Sequence, residues 1–227
     1  MLTQLWSPVP DWATAQQLQL ELRQRVCLTD RLEPPQTIAG VDVAFPERGT
    51  LTRAAVVVLR YPDLTLLDQE IAEVPTTFPY RPGFLSFREI PAILQALEQL
   101  PQLPDLIFCD GQGIAHPRRF GIACHLGVLL DKPTLGVAKS RLIGHHDPVP
   151  PEKGAWVPLW DHNTQIGIVL RSRKNVKPLY LSPGHHLSLE TTLHYVQHGL
   201  GRYRLPEPTR LADQYSKRSS IVTPETT

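Results

Sequence analysis

The sequence predicts an α/β fold whose mixed β-sheet has three antiparallel strands followed by parallel strands, with helices on its faces. Three strand-like runs lie between residues 37 and 74, and the connections between them are too short for parallel crossovers. Two short apolar runs, 105–110 and 134–138, enclose a helical segment, which is typical of a parallel strand–helix–strand unit. The 227 residues, 41% of them hydrophobic, are enough to build a substantial core.

Each element follows from its local periodicity and the residues that bound it. Residues 11–27 have apolar side chains at helical spacing behind Asp11, which is a suitable N-cap. Glycine and proline turns separate the strand-like runs that follow. The same reasoning predicts strands at 37–45, 53–60, 64–74, 105–110 and 134–138, and helices at 85–100, 120–130 and 208–218.

The distribution of proline indicates the domain organisation. The 23 prolines fall mostly between the periodic segments, as pairs and turn pieces, which favours rigid connections over a flexible linker. We therefore expect a single domain over residues 1–227, with its core at 37–214 and a disordered tail at 219–227.

Composition excludes several classes of protein. No uninterrupted apolar run approaches the roughly 20 residues of a membrane helix, and the N-terminus lacks a basic start followed by an apolar stretch. We expect a cytoplasmic protein with no membrane partner. Cys27, Cys109 and Cys124 form no CxxC motif, and we expect reduced core thiols rather than metal ligands. The net charge of +1 does not by itself indicate a partner.

Two aspartates occupy positions that call for a partner. Asp42 interrupts the apolar run 37–45, where an ionised carboxylate needs an opposite charge or a metal to offset its burial. Asp110 ends a buried strand, at the edge where open α/β sheets bind ligands. Taken alone, Asp42 is as consistent with an exposed strand face or a buried ion pair as with a functional site. Asp110, whose alternative is a turn residue or helix cap, is the stronger signal.

Three further side chains gain meaning only as members of a set. Glu89 and Asp213 lie on predicted helices, and each alone is typical of a solvated helix surface. Lys139 follows a strand and could reach a phosphate, although lysines at strand ends are usually exposed. Together, the four carboxylates would suit Mg²⁺ or Mn²⁺, which prefer oxygen ligands.

The nine histidines do not indicate zinc. His145-His146 and His185-His186 are adjacent pairs, and neighbouring residues on a strand or helix do not present one face to a single ion. The sequence also lacks the HExxH, GxSxG and P-loop motifs of zinc proteases, serine hydrolases and nucleotide-binding proteins.

Six motifs extend over most of residues 37–214. They read IAGVDVAF, FPYRPGFLSFRE, DGQGIAHPRRFGIACHLGVLL, PTLGVAKSRLIG, SPGHHLS and PEPTRLAD. In this order they resemble the endonuclease V family, the deoxyinosine-directed repair nucleases. The resemblance implies a ribonuclease H-like fold, which agrees with the element order above, and it places the first strand beside the fourth.

The resemblance implies a metal-dependent endodeoxyribonuclease. Asp42 and Asp110 would share Mg²⁺, for which Mn²⁺ can substitute, and Glu89 would complete the metal site. Lys139 would contact a phosphate oxygen or the nucleophilic water. Asp213 matches a position where family members carry histidine or aspartate, so its role stays open. The reaction would hydrolyse the second phosphodiester bond 3′ to hypoxanthine, leaving 3′-hydroxyl and 5′-phosphate ends.

The resemblance also implies a separate place for base recognition. The PYRP motif matches the family's wedge, in which Tyr80, held between Pro79 and Pro82, fills the gap left by a flipped base. Arg81 stands where the family usually has an aliphatic residue, so it could add a phosphate contact or be without effect on activity. The flipped base would enter a pocket formed by Gly83, Leu85, Gly111, Gly113, His116 and Gly136.

Other functions remain open on the sequence. The same carboxylates would serve an inosine-specific ribonuclease or a structure-specific nuclease. A non-catalytic nucleic-acid binder is disfavoured, because it has no need of acids that repel phosphate. The expected partner is deaminated DNA, or inosine-containing RNA, bound by a monomer without a protein partner.

Two regions stay unassigned by this reasoning. Segment 145–162, rich in histidine and tryptophan, is interpreted only as a surface hairpin. Basic residues near the motifs are candidates for contacts with the nucleic-acid backbone. They are Arg118, Arg119, Arg141, Arg210, Lys217 and Arg218.

Overall fold

The computed structural model describes residues 1–218 and shows one eight-stranded sheet with helices on both faces. The strands are β1 Thr37–Ala44, β2 Leu51–Arg60, β3 Leu66–Pro75, β4 Leu106–Cys109, β5 Thr134–Ala138, β6 Trp156–Asp161, β7 Thr164–Leu170 and β8 Leu179–His185. The helices are α1 Trp12–Arg23, α2 Pro46–Gly49, α3 Ser86–Glu98, α4 Ile122–Leu130, α5 Leu189–His198 and α6 Glu207–Ser216, preceded by a 3₁₀ helix at Leu2–Leu5. Among residues 1–218, no helix is both long and apolar enough to cross a membrane. The tail predicted at 219–227 lies outside the described residues.

The strand order confirms the predicted mixed sheet. Across the sheet the strands run β3-β2-β1-β4-β5-β8-β7-β6. β1, β2 and β3 pair antiparallel, whereas β1, β4 and β5 pair parallel. The remaining strands, β8, β7 and β6, extend the sheet antiparallel beyond β5, which the sequence patterns did not predict.

Most predicted elements are present with ends shifted by a few residues. The cap of α1 is confirmed, because the Asp11 carboxylate accepts a hydrogen bond from the Thr14 N–H at 2.7 Å. β3 begins later than predicted because Leu64 has a φ of 59° and closes a tight turn. In that turn the Arg60 N–H donates to the Thr65 carbonyl at 2.8 Å, so pairing resumes only at Leu66.

Segment 145–162 belongs in part to the main sheet. Residues 156–161 form the edge strand β6, which makes a hairpin with β7. On the other side of β6, His145 bridges to Trp160, with N–H to carbonyl distances of 2.7 and 2.9 Å. The segment therefore supplies one strand of a hairpin, and this hairpin is part of the central sheet rather than a separate surface feature.

Two apolar layers cover the sheet because alternate strand residues face opposite sides. α3 and α4 pack on one face through side chains such as Ile90, Leu94 and Leu126. α5 and α6 pack on the other through Val196 and Ala212. Helices packed on both faces therefore fix the position of the strand ends of β1, β4 and β5.

The crossing of α6 over β1 is unusually close. A Cβ atom at Gly40 would lie only 2.0 Å from the Pro208 carbonyl oxygen at the start of α6. Any side chain there would force the helix away from the strand. Glycine at position 40 thus sets the distance between β1 and the helix that carries Asp213.

We predict that Gly40→Ala lowers the free energy of unfolding by about 1–3 kcal/mol, the usual cost of an added group in a packed core. Chemical denaturation measures this. The matched control is Gly199→Ala, where the added Cβ would meet nothing closer than 3.3 Å. Equal stability of the Gly40 variant and the wild type would contradict the close crossing.

Candidate functional site

Two acids and a lysine meet at one edge of the sheet. Asp42 lies near the end of β1, Asp110 directly follows β4, and Lys139 directly follows β5. Parallel pairing sets this arrangement, since Val41 is in register with Cys109, and Cys109 with Gly136. The carboxyl ends of the three strands therefore present their polar side chains together.

α6 brings a third carboxylate to the same edge. One oxygen each from Asp42, Asp110 and Asp213 lie within 4.8 Å of one another. The helix reaches this position because it crosses β1 at Gly40. The structure thus brings Asp213, the acid with the least certain role, directly beside the two strand acids.

Burial and repulsion favour a proton on Asp42, the most buried of these three acids. Burial raises the pKa of Asp42 to about 8, with further contributions from the hydrogen bond and the charge of Asp110. The Ser216 hydroxyl and the Lys139 ammonium oppose this rise in the pKa of Asp42. A cation placed among the acids would relieve the same repulsion.

Glu89 lies on α3, beside the three aspartates but outside their closest group. Burial raises the pKa of Glu89 well above its ordinary value, and the charges of Asp42 and Asp110 add to the rise. The neighbouring Arg88 opposes the rise. Glu89 therefore interacts electrostatically with the aspartates and forms a fourth acid beside them.

Lysine side chains neutralise part of this charge. The Lys139 ammonium bridges Asp110 and Asp213, and its distance to Asp213 Oδ1 is 2.6 Å. The Lys217 ammonium contacts the other oxygen of Asp213 at 2.7 Å. Burial lowers the pKa of Lys139, but the charge and hydrogen bond of Asp110, the hydrogen bond of Asp213 and the charge of Asp42 outweigh it and raise the pKa overall.

Ser216 is a site residue that the sequence reasoning missed. It is fully buried, and its hydroxyl donates a short hydrogen bond to Asp42 Oδ2. Its spacing of three residues from Asp213 on the same helix was the available signal, since such residues share a helix face. The hydroxyl fixes the orientation of the Asp42 carboxylate.

The donor set fits a hard divalent cation. Asp42, Asp110 and Asp213 offer carboxylate oxygens only, the ligands preferred by Mg²⁺ and Mn²⁺ over softer metals. Glu89 supplies a further oxygen nearby. The arrangement can therefore hold a metal ion beside a bound phosphate.

A cavity of about 340 Å³ opens beside the acids. Most of the residues predicted for base recognition line it: Tyr80, Pro82, Gly83, Leu85, Gly111 and His116. Glu89, Asp110 and Lys139 form part of the same wall. The predicted base pocket and the acidic site are therefore contiguous.

Gly113 and Gly136 lie behind the cavity wall and do not line it. A Cβ at Gly113 would be 2.0 Å from the Pro183 carbonyl oxygen, and one at Gly136 would be 2.5 Å from the Gly111 carbonyl oxygen. Their small size therefore allows the loop after β4 to pack tightly on β5 and β8. Pro79 also stands outside the cavity lining.

Three donors converge on the carbonyl oxygen of Gly83. The Gln19 amide donates at 3.0 Å, the Arg118 guanidinium at 2.6 Å and the His116 ring at 3.0 Å. Gln19 also accepts from Arg118 Nε at 2.5 Å, although it lies on α1, far away in sequence. Gln19, which is only 1% exposed, is a second residue that the sequence reasoning missed. The three side chains fix the loop that follows Tyr80.

The His116 ring is neutral and fully engaged. Its Nδ1 accepts from the Arg118 N–H at 3.2 Å, so the proton lies on Nε2 and is donated to Gly83. Burial lowers the pKa of His116 to about 4, with a contribution from the Arg118 charge. Its ring therefore positions the loop and leaves base contacts to other groups.

The Tyr80 side chain is 67% exposed at the mouth of the cavity. The nearby Arg81 guanidinium lies 5.5 Å from the Trp12 ring centroid and 5.7 Å from that of Phe84. Arg81 therefore packs towards the aromatic cluster beneath the loop. The Tyr80 ring stays mostly exposed, with the Arg88 guanidinium 5.9 Å from its centroid.

The prediction that adjacent histidines do not face one common group is wrong for His185 and His186. Their ring centroids are 3.7 Å apart and both Nε2 atoms approach Asp131 Oδ1, at 3.4 and 2.9 Å. His186 has a φ of 55°, which ends the strand alternation and turns its ring to the same side. His185 Nδ1 accepts from the Cys27 N–H at 3.2 Å, so its Nε2 carries the proton and donates to Asp131 rather than offering a lone pair to a metal.

Comparison with known proteins gives a consistent result. Residues 20–214 match the family model described as Endonuclease V. Endonuclease V from Rippkaea orientalis is 58% identical over 200 residues, which cover 88% of this chain and 87% of that protein.

Solved structures agree with the sequence match. The crystal structure of endonuclease V from Streptomyces avermitilis has a TM-score of 0.86 at 40% identity, covering 93% of this chain and 92% of that one. Endonuclease V from Ciona intestinalis, solved with DNA containing an inosine followed by a ribo-adenosine, has a TM-score of 0.78 at 30% identity, covering 90% and 95%. The chain belongs to the endonuclease V family.

Proposed function

We propose that the protein cuts DNA at deoxyinosine by metal-assisted hydrolysis of a phosphodiester bond. The observation that carries the proposal is the juxtaposition of three carboxylates, within 4.8 Å of one another, with a cavity of about 340 Å³. The Ciona intestinalis relative was solved with inosine-containing DNA, which supports the choice of substrate. All eight strands belong to one sheet and the four acids meet at its edge, which supports a single-domain enzyme whose site is complete within one chain.

We assign the metal to Asp42 and Asp110, with Asp213 and Glu89 completing the site. Mg²⁺, or Mn²⁺ in its place, would stabilise charge on the scissile phosphate and lower the pKa of an attacking water. Ser216 keeps the Asp42 carboxylate oriented through its hydrogen bond. The bond cut is the second phosphodiester 3′ to the hypoxanthine, with 3′-hydroxyl and 5′-phosphate products.

Lys139 is assigned a place between the phosphate and the acids. Its ammonium already contacts Asp110 and Asp213, so it stands at the boundary of the acidic cluster and the cavity. From there it can donate to a phosphate oxygen or to the attacking water. Its raised pKa keeps it charged through the working pH range.

Base recognition is assigned to the cavity and its mouth. Tyr80, between Pro79 and Pro82, would fill the gap left in the stack by the flipped base. The Gly83 carbonyl already accepts three hydrogen bonds, so we assign recognition of hypoxanthine O6 to the free N–H groups where α3 begins, at Leu85 and Ser86. Adenine presents a donor at that position and would be rejected.

Inosine in RNA is the second candidate substrate. The nucleic acid bound to the Ciona intestinalis relative contains a ribo-adenosine after the inosine. The acidic cluster could support hydrolysis of the phosphodiester backbone of either DNA or RNA. Cleavage of matched inosine DNA, inosine RNA and a four-way junction separates these substrates.

We predict that Asp42→Asn abolishes cutting of a DNA oligonucleotide with one central deoxyinosine, by about 10³-fold or more, while binding is retained. The carboxylate loses its charge but keeps its size and the Ser216 contact. A denaturing gel with Mg²⁺ or EDTA measures cleavage, and Glu190→Gln, at an exposed position on α5, is the control. An active Asp42→Asn enzyme would refute the metal assignment.

Metal binding is expected to stabilise the protein more strongly at high pH. Because the pKa of Asp42 is about 8 in the folded protein against 3.8 as its ordinary value, the unfolded chain loses this proton first, and stability falls as pH rises between these values. Mg²⁺ competes with that proton. At one fixed concentration, about 100 times its Kd at about pH 8.5, it should raise Tm by roughly 5–10 °C at that pH and by less at about pH 6. Scanning calorimetry measures this, and an equal shift at both pH values would contradict it.

Gln19→Ala is expected to raise KM for inosine DNA about tenfold and to reduce discrimination against adenine, with little change in kcat. The reason is that the Gly83 loop loses one of its three donors, while the acids are untouched. Gln17→Ala, an exposed residue on the same helix, is the control. Loss of kcat alone, with KM and discrimination preserved, would argue against a role in the base pocket.

A further inference from the structure

Positive charge is concentrated in three segments that the proposed function does not use. Residues 151–156, 171–178 and 201–204 contain seven cations and one acid, Glu152, in a chain whose net charge is only +1. Nearby Glu207 is already paired with Arg210 at 2.6 Å. We call the seven residues the basic strip: Lys153, Arg171, Arg173, Lys174, Lys177, Arg202 and Arg204.

Hydrogen bonds join the basic strip to the acidic site. The Arg204 guanidinium donates to the Lys139 carbonyl at 2.7 Å and to the Lys177 carbonyl at 2.9 Å. The Lys153 ammonium donates to the Gly201 carbonyl at 3.2 Å. The three segments therefore form one continuous surface that begins at Lys139.

The far end of the basic strip carries an exposed tryptophan. Trp156, at the start of β6, is 46% exposed and shows no ring or guanidinium partner within residues 1–218. It is in register with Leu170, and Leu170 with Leu179, so it lies at the sheet edge where β5 ends. Three strand spacings of about 4.8 Å separate β6 from β5, a distance of about 15 Å.

We propose that the basic strip and Trp156 bind an unpaired flank of the nucleic-acid strand that is cut, with phosphates on the five exposed cations and a base stacked on Trp156. Arg171 and Arg204, whose guanidinium groups already donate to backbone carbonyls, hold the strip together. This inference rests on the proposed function. Grooves that combine cations with exposed aromatic rings suit single strands, because every base has a face that can stack. At 3.4 Å per stacked nucleotide, about 15 Å corresponds to about four nucleotides from the acidic site.

The first test measures binding in EDTA, so that no cutting is required. Fluorescence anisotropy compares inosine oligonucleotides with unpaired flanks of about two or about eight nucleotides, on the 3′ and the 5′ side in turn. Arg173 and Lys174 are exposed, and within residues 1–218 their side chains make no hydrogen bond or ion pair, so the R173A/K174A double variant should fold normally. We expect it to bind the long flank about tenfold more weakly and the short flank unchanged, with a salt slope lower by about 1.4.

The control removes the same charge elsewhere. Arg23 and Arg31 are exposed and lie outside the basic strip, and R23A/R31A should leave flank-dependent binding intact. An equal loss in both double variants, or a loss that ignores flank length, would overturn the proposal. A duplex flank that gives the same gain as the unpaired flank would overturn the assignment to a single strand.

The second test addresses the stacked base. W156A should lose most of the gain from the long flank, and W156F should recover part of it, because phenylalanine also stacks. W160A, on the same strand, is the control. Unchanged binding of the long flank by W156A would refute the stacking of a base on Trp156.

The two proposals fail separately. If the wild type does not cut inosine DNA but R173A/K174A loses flank-dependent binding, the basic strip stands and the proposed reaction falls. If the wild type cuts and the double variant binds like it, the reaction stands and the basic strip falls.

Discussion

Repulsion among buried carboxylates is the constraint on which the site depends. Asp42, Asp110 and Asp213 place oxygens within 4.8 Å of one another, and Glu89 lies buried beside them. Like charges this close, in an environment of low dielectric, favour protonation or a bound cation. The crowding that raises the pKa of Asp42 and Glu89 is therefore also what makes the site attractive to a divalent metal.

The fold maintains that crowding through two backbone contacts. Parallel pairing of β1 with β4 brings Asp42 and Asp110 to one edge, and the close crossing at Gly40 brings α6 with Asp213. The same helix supplies Ser216, so one packing contact places both an acid and the hydroxyl that orients another acid. Small changes in this crossing would alter the whole cluster.

The cavity proposed for base recognition and the acidic site share a wall but have separate supports. The loop after Tyr80 is fixed by donors from Gln19, His116 and Arg118, none of which touches the aspartates. α3 connects the two regions, because it begins at the cavity and carries Glu89 one turn later. A base in the cavity and a phosphate at the acids would thus be held by one rigid helix, in line with a cut displaced from the recognised nucleotide.

The sequence by itself determined the strands of the first half of the sheet, and it marked Asp42 and Asp110, because periodicity and strand ends are local properties. It could not show that Gln19 supports the cavity or that Ser216 orients Asp42, since both contacts join residues far apart in the chain. Nor could it show the rings of His185 and His186 meeting at Asp131. That contact depends on a positive φ at His186, a backbone conformation that no periodic pattern encodes. The tertiary structure decided these three contacts, because they form only when α1, α6 and the end of β8 are brought beside segments that are distant in sequence.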